Sequence, residues 1–400
     1  MPATATHSRH RFQGHDGLRF LFVYIALYIP FAVCTPYLQK LLDCRGFSKS
    51  EIGVILGFFE CMAVLAPPLW GYLVDRTGRP RLILGLAVLG TAPTFLLFGL
   101  TSALWLAVAI AVLFGFFYRS VIPLTDGITF RYLHEHPGDY GRIRIGGSVG
   151  FISGVLTLEL LGITQTTSGR MILGAMVVAG LIHLVSVLFV LPGSKPPAHP
   201  VEEEPRSGPA PHVRDLLTRS FLCFTFAALL GRMAMMAYYS FFTLFLRDQF
   251  GFERPGFLWI IGPISEFPII FFSRRIIDRI GARNFYALGL VGIAVRLLGF
   301  AGTSQVWLLV PLQLLHSLTF GATHTASVTY VSKCVPRELQ GTAQTTFAAL
   351  TTGVGGILGS AIGGVVAQHY GFPVLYIGAS LLAVVALIIL LVAVPVMKTK

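Results

Sequence analysis

Ionisable residues are scarce in this sequence, and several stand among residues suited to hydrocarbon. In FGFFYRSVIPLTDGITF, residues 114–130, Arg119 and Asp126 are seven positions apart. On a helix that is nearly two turns, so both side chains project from roughly one face. Glu60, Arg232, Glu266, Arg296, His316 and His324 interrupt apolar runs in the same way. A charge at mid-bilayer costs about 3 kcal/mol on insertion scales. A chain that keeps so many is expected to set them around a shared, water-accessible cavity. A carboxylate in apolar surroundings holds its proton more tightly, and a nearby Arg or His loosens it again. That competition can load and unload a proton as a structure changes shape.

The elements that must position these residues follow from composition. The chain has 400 residues, 54% hydrophobic and only 12% charged, with a mean hydropathy of +0.74; soluble domains carry about 25% charged residues. Apolar runs recur from end to end, which predicts an all-α polytopic membrane protein. A membrane β-barrel would alternate in polarity instead. At about 20 residues per crossing, twelve spans are expected, with cores at 19–39, 51–73, 82–100, 103–127, 143–164, 171–191, 217–246, 257–277, 284–302, 305–331, 340–367 and 372–395. The basic stretch before the first span resembles a signal n-region, but the apolar run is long and no small-residue cleavage site follows; the helix is expected to be retained.

With both termini in the cytoplasm, the inner segments hold 21 of the 30 Lys+Arg and the outer loops 6, as the positive-inside rule requires. The net charge of +12 therefore belongs mostly to loops and calls for no nucleic-acid partner. Residues 192–215, PGSKPPAHPVEEEPRSGPAPHVRD, hold seven prolines and three consecutive glutamates, the composition of a solvated linker. They divide the chain into a short cytoplasmic segment (1–18), a six-helix bundle (19–191), the linker, a second six-helix bundle (216–395) and a tail (396–400). GYLVDRTGRPR after span two and SRRIIDRIGAR after span eight both contain Asp-Arg-x-Gly. Two such pseudo-symmetric halves around a midplane site form a transporter plan.

Gly71, Leu73, Asp75, Arg76, Gly78, Arg79 and Arg81 have the spacing of the loop signature of the major facilitator superfamily, which this chain resembles over all twelve spans. PLTD (123–126), DYGRIRIGGSVGF (139–151) and LQLLHSLTFGATH (312–324) are similar to stretches of the phenylpropionate permease-like proton symporters, whose layout is akin to lactose permease. Gly146 departs from that branch, where a tryptophan is expected. The resemblance implies secondary active transport by alternating access. Gly71, Asp75, Arg76, Gly78 and Arg79, with Asp278, Arg279 and Gly281, are then a cytoplasmic gate, whereas spacing alone equally allows a topology anchor of interfacial charges.

By resemblance, Glu266, Arg296, His316 and His324 form the proton-coupling set, with Glu60 a second carrier. No neighbour of Glu266 in sequence offers it a charge, so its partner is expected on another helix. Arg119, Asp126, Arg144 and Arg232, with Tyr24, Tyr28 and Gln313, are expected in the substrate cavity. Asp126, Arg119, Arg142 and Arg144 are read as one first-half polar cluster. The alternatives are a tie of Asp126 to Arg142 or Arg144 and a snorkelling Arg119. Glu159 is expected at the exposed outer rim and His183 in a hydrogen-bonded packing role. Gly355, Gly359 and Gly363, with Ser360 and Gly364, give span eleven a small-residue surface for close helix approach.

The substrate is expected to be a small organic solute: an aromatic carboxylate, a nucleoside or a sugar. No cofactor beyond a coupling proton is implied, and a monomer in a bacterial inner membrane is expected. A drug/proton antiporter shares the loop signature and stays open. An integral-membrane enzyme is the remote alternative: GGSVG at 146–150 matches Gly-x-Ser-x-Gly, but it opens a span rather than a strand-to-helix turn. The five cysteines lack metal-ligand spacing and a paired framework.

Overall fold

The computed structural model describes residues 15–397, except 137–138, 166–167 and 192–215. The linker expected at 192–215 lies outside the described residues, as do most of the N-terminal segment and the last three residues of the tail. Among the described residues, eleven helices are long and apolar enough to cross a membrane. They are α1 (Asp16–Cys44), α2 (Lys49–Thr77), α3 (Pro80–Leu100), α4 (Leu104–His134), α5 (Tyr140–Leu160), α6 (Arg170–Val190), α7 (Arg219–Phe250), α8 (Gly256–Ile280), α9 (Ala282–Gly302), α10 (Val306–Cys334) and one of 54 residues, Gln340–Ala393. The last contains a non-helical Gly371 with φ 82°, which divides it into α11 (340–370) and α12 (372–393). Among the described residues twelve spans result, the number expected from the sequence.

Local chemistry sets the helix ends. Ser48 and Glu51 form a reciprocal capping box at the start of α2, satisfying amides that the first turn leaves without partners. Gly78, at φ 62°, ends α2 in the left-handed region, and Gly251, at φ 60°, ends α7. Pro80 at the first turn of α3 loses nothing, since its missing N–H would have had no helical acceptor. No disulfide joins the described cysteines.

Close packing fixes which faces meet. A Cβ on Gly146 of α5 would lie 2.6 Å from the Leu21 carbonyl oxygen and 3.2 Å from Tyr24 Cβ. The tryptophan expected there by resemblance has no room, because α5 runs against the backbone of α1. In α11 the small residues split into two faces. Gly359 lies against Met233 of α7, with 2.7 Å from its Cβ position to the carbonyl oxygen, and a Cβ on Gly356 would lie 3.0 Å from Glu60 Cβ of α2. His183 is buried, but its Nε2 has no partner among the described residues; it packs without the expected side-chain hydrogen bond.

The molecule has two distinguishable ends. One carries the 71–81 and 274–283 loops and is called the loop end. At the other, the far end, ion pairs join the two bundles: Lys40–Glu253 at 3.0 Å, Lys49–Asp248 at 2.9 Å, and Asp43 with Arg247. Thr243 of α7 also donates to the Pro36 carbonyl at 2.6 Å. At the loop end Asp75, Arg76, Arg79, Asp278 and Arg279 are exposed, and no ion pair joins them among the described residues. This conformation is shut at the far end, and the expected gate charges are disengaged.

Candidate functional site

The ionisable residues within the spans form separate groups. In the second bundle, α9 supplies Arg296, α10 supplies Gln313, His316 and Thr319, and α8 supplies Glu266. Arg296 is fully buried. It donates to His316 Nδ1 at 2.9 Å, to Thr319 Oγ1 at 3.1 Å and to Gln313 Oε1, and its guanidinium lies 3.9 Å from the centre of the Tyr238 ring. An arginine can only donate, so Nδ1 of His316 must accept. The imidazole then carries its proton on Nε2, which faces Glu266 Oε1 at 2.9 Å. Arg296 thus selects the tautomer, a second-layer effect on the group that touches the carboxylate. The partner Glu266 lacks in its own segment comes from another helix.

Gln313, expected in the substrate cavity, lies outside the linings of the two central cavities described below. It is fully buried, accepts from Arg296 and donates to the Leu258 carbonyl at 2.9 Å. It holds Arg296 in place. His324 also stands apart from Glu266. Phe320 is sandwiched between the two histidine rings, stacked at 5.9 Å on His316 and 5.8 Å on His324, and His324 is exposed while His316 is buried. A π-helical stretch, Ser317–Ala322, sits between them. Such one-residue insertions re-aim side chains and gather at functional sites.

The central group joins both bundles. Glu60 of α2 pairs with Arg119 of α4, and its other oxygen is 3.7 Å from Arg232 of α7, beyond hydrogen-bond reach. Phe59 packs under Arg119 at 4.1 Å and Tyr239 under Arg232 at 5.4 Å. The Nε atoms of both arginines and Glu60 Oε2 are buried without a hydrogen-bond partner. Such groups carry a desolvation cost that a solute or water can relieve. They face a cavity of about 190 Å³ lined by Glu60, Arg119, Arg232, Tyr118, Tyr239 and Phe320 among others. Arg232, Tyr239 and Phe320 also line a second space of about 120 Å³, with His324 and several Thr and Ser hydroxyls.

Arg119 and Asp126 do not meet. The helix breaks after Tyr118 and resumes at Val121, which turns the two side chains to different neighbours. Asp126 accepts from Tyr24 and, at 3.0 Å, from Tyr140. Arg144 donates to Tyr28, with its guanidinium 4.6 Å from that ring, and Arg142 is 3.4 Å from Asp139. The first-half cluster expected from sequence is therefore two sites, and Asp126 is held by tyrosines rather than by Arg142 or Arg144. Tyr24 is fully buried, so it supports Asp126 from behind rather than lining the cavity.

Glu159 is the clearest correction. Instead of standing on an exposed rim it is fully buried, because Tyr37, Thr164 and the Gly256 amide converge on its carboxylate. Its sequence neighbours Leu160 and Leu161 are exposed. Leu158, on its other side, is buried, so Glu159 is turned inward with Leu158 while Leu160 and Leu161 face outward. The far-end ion pairs were missed as well, since nothing in the sequence relates Asp43 to Arg247.

The profile described as the MFS_1 like family matches residues 18–377. The maltose permease of Geobacillus stearothermophilus is 25% identical over 376 residues, 94% of this chain and 92% of that protein. The probable 3-phenylpropionic acid transporter of Escherichia coli (strain K12) is 27% identical over 315 residues, 77% of this chain and 80% of that protein. In fold, the crystal structure of a mutant of the nucleoside transporter NupG superposes with a TM-score of 0.81 at 19% identity, covering 94% of this chain and 98% of that one.

Proposed function

The chain belongs to the MFS_1 like family of membrane transporters, and from that premise we propose that it is a proton-coupled symporter of a small organic anion, of the aromatic carboxylate kind. Residues 19–191 and 216–395 rock as two bodies about the central cavity. The loop end is cytoplasmic, so the conformation described is the inward-facing one, and the gate charges around Asp75 and Asp278 meet only when the inner side closes.

The observation that carries this reading is the contact chain from Glu266 through His316 to Arg296. Among the described residues the carboxylate has one polar partner, an imidazole whose orientation is fixed from behind. Glu266 is then the proton carrier, with His316 and Arg296 setting how readily it gives the proton up. Release of the proton belongs to the inward-facing conformation, where the inner side is open and the proton can leave to the cytoplasm with the solute. For the solute, Arg232 supports an anion: it is shared by both cavities, its Nε is unpartnered, and Glu60 is already committed to Arg119. The ring faces of Tyr239, Phe320 and Phe59 suit a planar, apolar body. An arginine binds a carboxylate through paired hydrogen bonds and stacks on aromatics at the same time. The relatives named for a sugar and for phenylpropionic acid, and the nucleoside transporter alike in fold, bracket the solute size. The coupling ion is the only cofactor in this scheme, and the transporter acts as a monomer in a bacterial inner membrane.

The test is external pH in a weakly buffered, de-energised suspension of vesicles containing the protein. Pulses of phenylpropionate-like acids, nucleosides and small sugars would be given with and without a protonophore. Alkalinisation specific to the acids and lost in Glu266→Gln supports the proposal. Labelled uptake without any pH change excludes proton coupling, and alkalinisation by a sugar or nucleoside alone excludes the anion.

A further inference from the structure

Away from the central cavity, the far end contains a buried carboxylate that neither coupling nor solute binding uses. Glu159 is fully buried in α5, one residue from its end. Its Oε1 accepts from the Tyr37 hydroxyl of α1 at 2.5 Å and from the backbone N–H of Gly256, the first residue of α8, at 2.7 Å. Its Oε2 accepts from Thr164 at 3.2 Å. No ion pair reaches it among the described residues. Lys40, the cation nearest in the chain of contacts, is paired with Glu253 at 3.0 Å.

Gly256 is shaped to this approach. A Cβ there would lie 2.6 Å from Glu159 Oε1, 2.6 Å from Val155 Cγ1 and on top of the Tyr37 hydroxyl. Any side chain would push α8 off α5. Three helices from the two bundles therefore meet on one carboxylate group, and no other residue type at position 256 permits it.

We infer that Glu159 is the positioning residue that holds the far end shut, a clasp between α5 and α1 on one side and the start of α8 on the other. When the far end opens, α8 must leave α5, and the Gly256 amide must leave Glu159. The carboxylate then gains water, and closing strips that water while restoring the bond to Gly256. The clasp is thus made and broken once in each transport cycle, in register with the Asp43–Arg247 and Lys49–Asp248 pairs beside it. Those pairs are partly exposed and screened by salt. The Glu159 bonds are buried and not screened, so they set the closed geometry. The inference needs only that the chain alternates which end is open; it is independent of the solute and of the coupling ion.

The experiment is thiol labelling of the full-length protein in nanodiscs, both ends accessible, in a background with the five native cysteines replaced by serine. The reporter is Leu42→Cys, at a fully buried position near the far end of α1, and Thr77→Cys at the exposed loop end controls for reagent. Glu159→Leu leaves the Tyr37 and Thr164 hydroxyls and the Gly256 amide without an acceptor. Three buried groups left unpaired are enough to raise labelling at 42 by about tenfold or more. Glu159→Gln keeps an acceptor oxygen and is expected to label within about twofold of the parent, since that hydrogen-bond geometry is preserved. Gly256→Ala breaks the same clasp from the other bundle and is expected to label like Glu159→Leu. Unchanged labelling at 42 in Gly256→Ala, or in a Glu159→Leu protein with an unaltered melting temperature, overturns the inference. So does Glu159→Gln labelling as fast as Glu159→Leu, because that would make the charge, not the hydrogen-bonded position, the operative feature.

Discussion

Gly53 of α2 and Gly364 of α11 touch backbone to backbone across the two bundles: a Cβ on Gly364 would lie 3.1 Å from Gly53 Cα, and one on Gly53 would lie 3.0 Å from Gly364 Cα. Only glycine at both positions lets the helices approach this closely. Valine at 53 would overpack a seam that must close in every cycle, at a cost of about 1–3 kcal/mol against the closed far end. Gly53→Val is therefore expected to bind solute but transport it slowly. Spin-label distances between the far ends of α2 and α11 should lengthen in that variant. An unchanged distance distribution with full transport would show that the seam tolerates a side chain.

Arg296 makes its bonds to His316, Thr319 and Gln313 through a planar guanidinium. The ammonium of a lysine is a point charge and cannot reach all three. Arg296→Lys leaves a buried charge with missing partners and frees the His316 tautomer, a loss of about 3–5 kcal/mol by analogy with broken buried pairs. Thermal unfolding in detergent should show the drop. The pH profile of uptake should also change shape, which a purely structural loss would not produce.

Arg232 and Arg119 are separable. Arg232 has no direct bond to Glu60, whereas Arg119 does. Arg232→Ala is expected to weaken solute binding about tenfold to a hundredfold, the worth of a charge-assisted hydrogen bond, with little change in melting temperature. Arg119→Ala removes the hydrogen bond to Glu60, leaving it the Arg232 guanidinium at 3.7 Å, and should lower the melting temperature as well. Calorimetric binding and thermal unfolding of the two variants side by side would check this; equal loss of stability in both would count against Arg232 as the solute contact.

Gly146→Trp restores the residue expected by resemblance to the narrower symporter branch. The Leu21 carbonyl 2.6 Å from the Cβ position leaves it nowhere to go, and overpacking of this kind costs about 1–3 kcal/mol or more. Loss of monodisperse protein in size-exclusion chromatography is the expected outcome. A well-folded Gly146→Trp protein would mean that α1 and α5 can part at that level.

Much of the architecture was legible before any coordinates. Apolar run length set the number of spans, including the division near residue 370 that the continuous helix Gln340–Ala393 conceals, and the repeated Asp-Arg-x-Gly loops set the two-bundle plan. The rarity of charge marked Glu60, Arg119, Arg232, Glu266, Arg296 and His316 as a set worth explaining, because burying a charge in a membrane is costly wherever the chain does it.

Partnership was decided only by the tertiary structure. Hydropathy reports depth, and helical spacing reports direction within one unbroken helix. Neither says which helix lies opposite, and a two-residue break after Tyr118 was enough to send Arg119 to Glu60 and Asp126 to Tyr24 and Tyr140. Gln313 reads as a cavity residue in sequence and becomes a support for Arg296 once α9 is placed beside α10. Glu159 reads as a rim residue until α8 delivers an amide to it. Side-chain type and period fix what a residue can do within its own segment. Its partner comes from helices distant in sequence, and their packing decides which of those possibilities is used.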